Sequence, residues 1–117
     1  MFILDPNLLD SDHVGAKRLA FLCGGLRRLE ADLQAAGSRL ILRRGEPREE
    51  LRKLLSESGA SAIFAEEDVS PYARRRDDTV ADSLPLQLLG GLTVHPPEAV
   101  LKADGTPYTV YTPFSKS

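Results

Sequence analysis

The sequence has no tryptophan and one cysteine, Cys23, in 117 residues. A lone thiol cannot close an internal disulfide, so packing must hold the fold, as in the reducing compartments where thiols stay free. Long apolar runs are missing too. Nothing approaches the ~18 residues of a membrane span, and MFILDPN at the start has neither the basic opening nor the small-residue cleavage site of a secretion signal. Neither sign of charge is in large excess: 15 basic and 17 acidic residues leave a net charge of -2, which provides no general attraction for nucleic-acid phosphates. No glycine-rich phosphate loop follows any strand, because Gly15 stands alone and Gly24-Gly25 falls inside a helical pattern, so ordinary dinucleotide binding is excluded. His13 and His95 are far apart and lack Cys or acidic companions at ligand spacing, so no metal site is expected. Together these absences point to one cytoplasmic domain with no membrane contact.

What is present is an alternation of two periods. Phe2 to Leu4 reads as a buried strand closed by Asp5-Pro6-Asn7, and Ser11 or Asp12 can cap a helix along which Leu19, Leu22, Cys23, Leu26, Leu29 and Leu33 recur every three or four residues up to Gly37. Cys23 on that stripe reads as a small buried hydrophobe. Gly24-Gly25 in the middle costs about 1 kcal/mol per glycine relative to alanine, which marks either close backbone packing or a weak point. Leu40 to Leu42 reads as a second strand. Gly45-Glu46-Pro47 then opens a helix to about Ser58, with Leu51, Leu54 and Leu55 inward and Gly59 as its left-handed stop. A third strand, Ala62 to Ala65, leads to Ser70-Pro71 and a helix to about Ser83 before Pro85, and Leu92 to Val94 reads as a last strand. Short apolar strands alternating with amphipathic helices predict an α/β, Rossmann-like, doubly wound parallel sheet.

In such sheets ligands sit outside the carboxyl ends of the strands. The loops Asp5 to His13, Arg43 to Glu46 and Glu66 to Ser70 are therefore the candidate rim. Glu66-Glu67-Asp68-Val69-Ser70 is followed at once by Arg74, Arg75 and Arg76. One reading has the acids solvating a loop tip and the arginines coating a helix. The other has Asp68 and Ser70 hydrogen-bonding a planar polar ligand while an arginine reaches an anionic or carbonyl group. Arg18, one turn into the first long helix, either faces the same rim or is a surface cation. The closing string HPPEAVLKADGTPYTVYTPFSK has too many prolines and rings for a helix and carries one Asp-Gly turn. Its aromatics cannot all bury against one another, so it is expected to lie over something larger that follows.

FILDP, AGSRLILRRGEP, PYARRRD, HPPEAVL and GTPYTVYTPFSK, in this order, resemble the N-terminal domain of DNA photolyases and cryptochromes. The resemblance implies residues 1-95 as a truncated antenna domain and 96-117 as the start of a linker toward an absent FAD-binding helical domain. It implies an antenna chromophore (deazaflavin, methenyltetrahydrofolate or FMN) that passes excitation energy to FAD, which splits pyrimidine dimers in DNA bound by that other domain. No catalytic residue is expected in this chain. Carried over residue by residue, the pigment contacts are Phe2 and Asp5 at the end of a strand, Arg18 on the helix after it, and Asp68, Val69, Ser70 and Arg76 in the loop and helix beyond another strand. Ser70 stands where deazaflavin-binding members usually have an acid, and Ser115 where the family usually has Trp. The family also begins with one more strand, central in its 3-2-1-4-5 sheet, which this chain is expected to lack. Exposed backbone edges would then close up, aggregate or recruit a strand from another chain to give a strand-exchanged oligomer. The alternative within the resemblance is a cryptochrome-like photoreceptor, or an orphan interaction module that binds no pigment.

Overall fold

The computed structural model describes residues 1–11, 14–91, 93 and 99–116. They fall into two compact units, Met1–Ser61 and Ala62–Ser117, and each is α/β with one parallel strand pair.

The first unit contains β1 (Phe2–Leu4), a single helical turn α1 (Pro6–Leu9), the long helix α2 (Ala16–Ala35), β2 (Leu42–Arg44) and α3 (Pro47–Ser58). Parallel pairing of β1 with β2 sets Phe2 against Leu42 and Leu4 against Arg44. Parallel strands need a long crossover, and α2 supplies it. Phe2 N donates to Ile41 O at 2.8 Å and Gly45 N to Leu4 O at 3.2 Å, so Phe2 and Leu4 direct their backbone at β2. The N–H and C=O of Ile3 consequently face the other edge of β1, which no described strand covers.

The predicted strand Leu40 to Leu42 is displaced by two residues, because the ladder runs through Arg43 and Arg44 and ends where Gly45 turns the chain. The long helix begins later than expected: Gly15 is its N-cap, Asp5 caps the separate turn α1, and Asp12 lies outside the described residues. Leu26 is buried and Leu19, Leu22 and Leu33 are half-buried, but Cys23 and Leu29 are exposed. Cys23 is thus not the buried hydrophobe its spacing predicts. Two three-residue strands are too narrow to cover both flanks of a twenty-residue helix. At α3 the expectation holds closely: Pro47 opens it, Leu51 is buried, and Gly59 ends it at φ 69°, while Glu46 adds a side-chain cap.

The second unit contains β3 (Ile63–Glu66), α4 (Pro71–Ala81), β4 (Leu86–Leu89) and a final helical turn α5 (Tyr111–Phe114). β4 is a strand where none was predicted. The run Leu84 to Leu89 contains Pro85, which reads as a stop, yet the proline stands just before the ladder and its carbonyl accepts from Ile63 N at 2.9 Å. The predicted strand Leu92 to Val94 falls on residues of which Leu92 and Val94 lie outside the description. β3 pairs with β4 in parallel from Ile63 opposite Leu86 to Glu66 opposite Leu89, leaving its other edge, at Phe64 and Glu66, without a described partner. Ala73 and Val80 of α4 form the buried apolar centre.

The closing string makes the expected turn. Asp104 accepts from Thr106 N at 2.9 Å, Gly105 takes φ 79°, and Leu101 bridges Pro107 in antiparallel fashion. Tyr108 and Tyr111 both touch the ring of Phe114, yet Tyr111 is still 77% exposed, so the cluster shields itself only in part.

Gly59 tests the assignment of α3. A Cβ there meets nothing within 4 Å, but the left-handed backbone disfavours it. Gly59→Ala is expected to cost about 1 kcal/mol. A lower urea midpoint with an unchanged slope is the expected result, and an unchanged midpoint would contradict the left-handed stop.

Candidate functional site

Each unit presents a rim where the chain leaves a strand and enters a helix. In the first unit this junction is Asp5. Its carboxylate accepts from Asn7 N at 2.9 Å, its carbonyl accepts from Leu8 N and Leu9 N, and the residue is only 4% exposed. Asp5 is therefore a buried helix cap at the carboxyl end of β1. Phe2 opens the same strand, about 10 Å away along it, so the two do not share the rim. Arg18 is the third residue of α2 and exposed, on the carboxyl side of β1 by chain direction.

The loop after β2 adds residues that spacing did not single out. Glu46 accepts from Arg48 N and Glu49 N, and Glu50 is buried with its carboxylate 2.6 Å from Lys53 Nζ. Gly45, at φ 153°, makes room for it, since a Cβ there would stand 3.0 Å from Glu50 Oε1. Glu49 and Glu50 both stand in the first turn of α3, where acids complement the helix dipole, and Glu50 is the one that turns inward. A cleft of about 430 Å³ opens at the other end of this strand, lined by Arg39, Ile41, Arg43, Leu54 and Glu57 among others, with Arg43 paired to Glu57. None of the predicted site residues lines it.

In the second unit, β3 delivers Glu66 and the chain turns through Glu67, Asp68 and Val69 to Ser70. Asp68 Oδ1 accepts from Ser70 N at 2.8 Å, and Ser70 Oγ accepts from Ala73 N at 3.4 Å, capping α4. The Ser70 backbone N–H, with its hydroxyl adding to it, holds the Asp68 carboxyl below the usual aspartate range, and the Arg76 guanidinium contributes from farther off. Val69, between them, is 42% exposed. Arg76 Nε donates to Asp77 Oδ1 at 2.8 Å and Nη2 approaches the same oxygen at 2.7 Å. Asp77 is buried at 6% exposure, and its hydrogen bond is the main reason the guanidinium stays protonated more firmly than usual.

The structure therefore brings Asp68, Val69, Ser70 and Arg76 to one edge and adds Asp77 as the residue that anchors the arginine. Arg74 and Arg75 are exposed. A fixed carboxylate, an apolar side chain and a held guanidinium can grip a flat ligand that presents an N–H, a hydrophobic ring and a carbonyl. Among the described residues no His, Cys, Asp and Glu cluster could hold a metal ion, and no helix is long and apolar enough to cross a membrane.

A carboxyl-carbon NMR titration of Asp68 tests this turn. Its midpoint is expected below that of aspartate in the unfolded chain, so the stabilisation is present above the unfolded value and lost as pH falls through the lowered folded one. Ser70→Ala, which keeps the N–H and removes the hydroxyl, should raise the midpoint only part of the way. A midpoint equal to the unfolded value would mean the turn does not form.

Residues 1–117 match the model of the DNA photolyase family over the whole chain. The chain is 38% identical over 123 aligned positions to the deoxyribodipyrimidine photo-lyase of Synechococcus sp., which covers 100% of this chain and 25% of that protein. An uncharacterized 31.6 kDa protein of another Synechococcus strain is 40% identical over 119 positions, 97% of this chain and 42% of its own length. A crystal structure of a bacterial class III photolyase from Agrobacterium tumefaciens superposes with a TM-score of 0.69 at 31% identity, covering 79% of this chain and 21% of that one. The chain thus spans a quarter of the length of the first of these relatives.

Proposed function

The chain belongs to the DNA photolyase family, and we propose that it is the light-harvesting part of such an enzyme, holding an antenna chromophore for a catalytic flavin bound elsewhere. The observation that carries this reading is the rim of Asp68, Val69, Ser70 and Arg76 beyond β3, with Asp77 holding the arginine in place. In this reading Asp68 accepts a ring N–H, Val69 covers part of the ring face, and Arg76 donates to a ring carbonyl with the N–H groups that Asp77 does not occupy. Deazaflavin, methenyltetrahydrofolate and FMN all offer this pattern. When bound, such a pigment absorbs near-ultraviolet or blue light and passes the excitation on. The chain's own work is to fix the ring and exclude water from it. Phe2, Asp5 and Arg18 are proposed as pigment contacts one by one; for Asp5 the cap of α1 is a sufficient structural role in any case.

The relatives' greater length supports a following FAD-binding helical domain, to which residues 96-117 form the start of a linker and through which alone damaged DNA is held, with its pyrimidine dimer turned out toward the flavin. The rings of Tyr108, Tyr111 and Phe114, which shield one another only in part, support a linker that docks on further protein. The open edges of β1 and β3 support pairing with strands supplied from outside each unit, including exchange with another copy when the chain is isolated.

In the full-length protein, Asp68→Ala or Arg18→Ala is expected to lower antenna occupancy at least several-fold, read as loss of the pigment's absorption band. Repair driven by light that excites FAD directly should be spared. Equal loss of both would make these residues structural. No pigment band in the wild-type protein would favour the pigment-free interaction module instead. The isolated 117-residue chain is expected to repair no DNA, and any light-dependent repair by it would refute the assignment of catalysis to the other domain.

A further inference from the structure

Strands of parallel sheets are as a rule apolar along their whole length. β2 departs from this: it reads Leu42-Arg43-Arg44, and Arg43 stands at its centre, half-buried and opposite Ile3 of β1. Its Nη2 is paired to Glu57 of α3. Its Nε is buried and has no acceptor among the described residues. A buried N–H without an acceptor is destabilising, and an aliphatic side chain at the same position would avoid the loss. The packing of the first unit therefore gives no reason for an arginine here.

Arg43 lines the cleft of about 430 Å³ at the amino end of β2. Arg39, Leu40 and Ile41, in the segment that enters the strand, line it too, and α3 contributes Leu54 and Glu57. Two guanidinium groups against one carboxylate leave one positive charge over, beside three aliphatic side chains. We propose that this cleft binds a small monocarboxylate with an apolar body, its carboxylate held between Arg39 and Arg43 and its body laid on Leu40, Ile41 and Leu54. The volume falls in the range of small-molecule sites. A carboxylate is flat and accepts two parallel N–H bonds from one guanidinium. The Arg43 side chain, 31% exposed, supplies them by turning its Nε edge into the cleft, while Glu57 keeps its place on Nη2. The charge of the ligand is limited from two directions: Glu57 stands in the lining, and the last two turns of α3, which carry Leu54 and Glu57, present the helix end that repels anions. A single carboxylate balances the cleft, and a phosphate dianion exceeds it. The site is separate from the pigment reading, since no proposed pigment contact lines it.

Titration of the isotope-labelled 117-residue chain with phenylacetate tests the proposal, read by NMR at the Arg43 Nε–H and at the amides of Ile41 and Leu54. Saturable shifts with half-saturation at about 1 mM are expected of so small a ligand. Phenylacetamide, which keeps the body and loses the charge, and phenyl phosphate, which carries a second charge, should each bind several-fold more weakly. Arg39→Gln, at an exposed position, should weaken phenylacetate binding about tenfold, and so should Arg43→Lys, which keeps the charge and loses the fork. Glu57→Gln should tighten it, because the competing carboxylate is gone; a residue needed only to shape the cleft would move the affinity the other way. An unchanged amide spectrum away from the cleft shows each variant to be folded. No saturable shift with phenylacetate, equal or tighter binding of either analogue, affinity unmoved by Arg39→Gln, or affinity lowered by Glu57→Gln would each overturn the proposal.

Discussion

The fold turns on a junction used three times: a strand ends, an oxygen-bearing side chain caps the next helix, and proline occupies its first position. Asp5-Pro6, Glu46-Pro47 and Ser70-Pro71 all have this form. Proline brings the helical φ and has no N–H to leave unsatisfied, while the cap oxygen accepts from amides that have no partner inside the helix. Because parallel strands all end on the same side of their sheet, these caps gather at the rim of each unit. The capping residues Asp5 and Ser70 are therefore among the proposed pigment contacts, and Asp68, which bonds the Ser70 amide, stands beside one of them.

That economy explains what could be read from the letters. Caps, stops and the strand-to-helix order are local and depend on residues within a few positions of one another, so Pro47, Gly59 and Ser70 were legible. Burial was less so. Cys23 and Leu29 obey the helical period yet face outward, because how much of α2 is covered depends on the width of the sheet beneath it. The strand Leu86–Leu89 was hidden by Pro85, whose effect depends on whether it stands inside a ladder or one residue before it. Around the candidate site, the acid, the apolar residue and the arginine were visible as a cluster. The buried partner Asp77 was not, since in RRRDD any acid could have been the one turned inward.

Each unit has strands with a second edge that no described strand covers, and α2 has a flank that its own sheet does not reach. Both follow from sheets of two short strands. Such a sheet satisfies half the hydrogen-bonding capacity of its members and offers little surface for a helix of five turns. The apolar side chains left outside, Phe21, Phe64 and Leu89 among them, are the counterpart of that narrowness and would find cover as further protein is added.

The turn from Asp68 to Ala73 closes on itself: the carboxylate of Asp68, the hydroxyl of Ser70 and the amide of Ala73 are all bonded within six residues. It behaves as a cassette. A loop so contained can change its side chains, acid for hydroxyl at Ser70 included, while the ladder between β3 and β4, which ends with Glu67 N donating to Leu89 O, keeps its register.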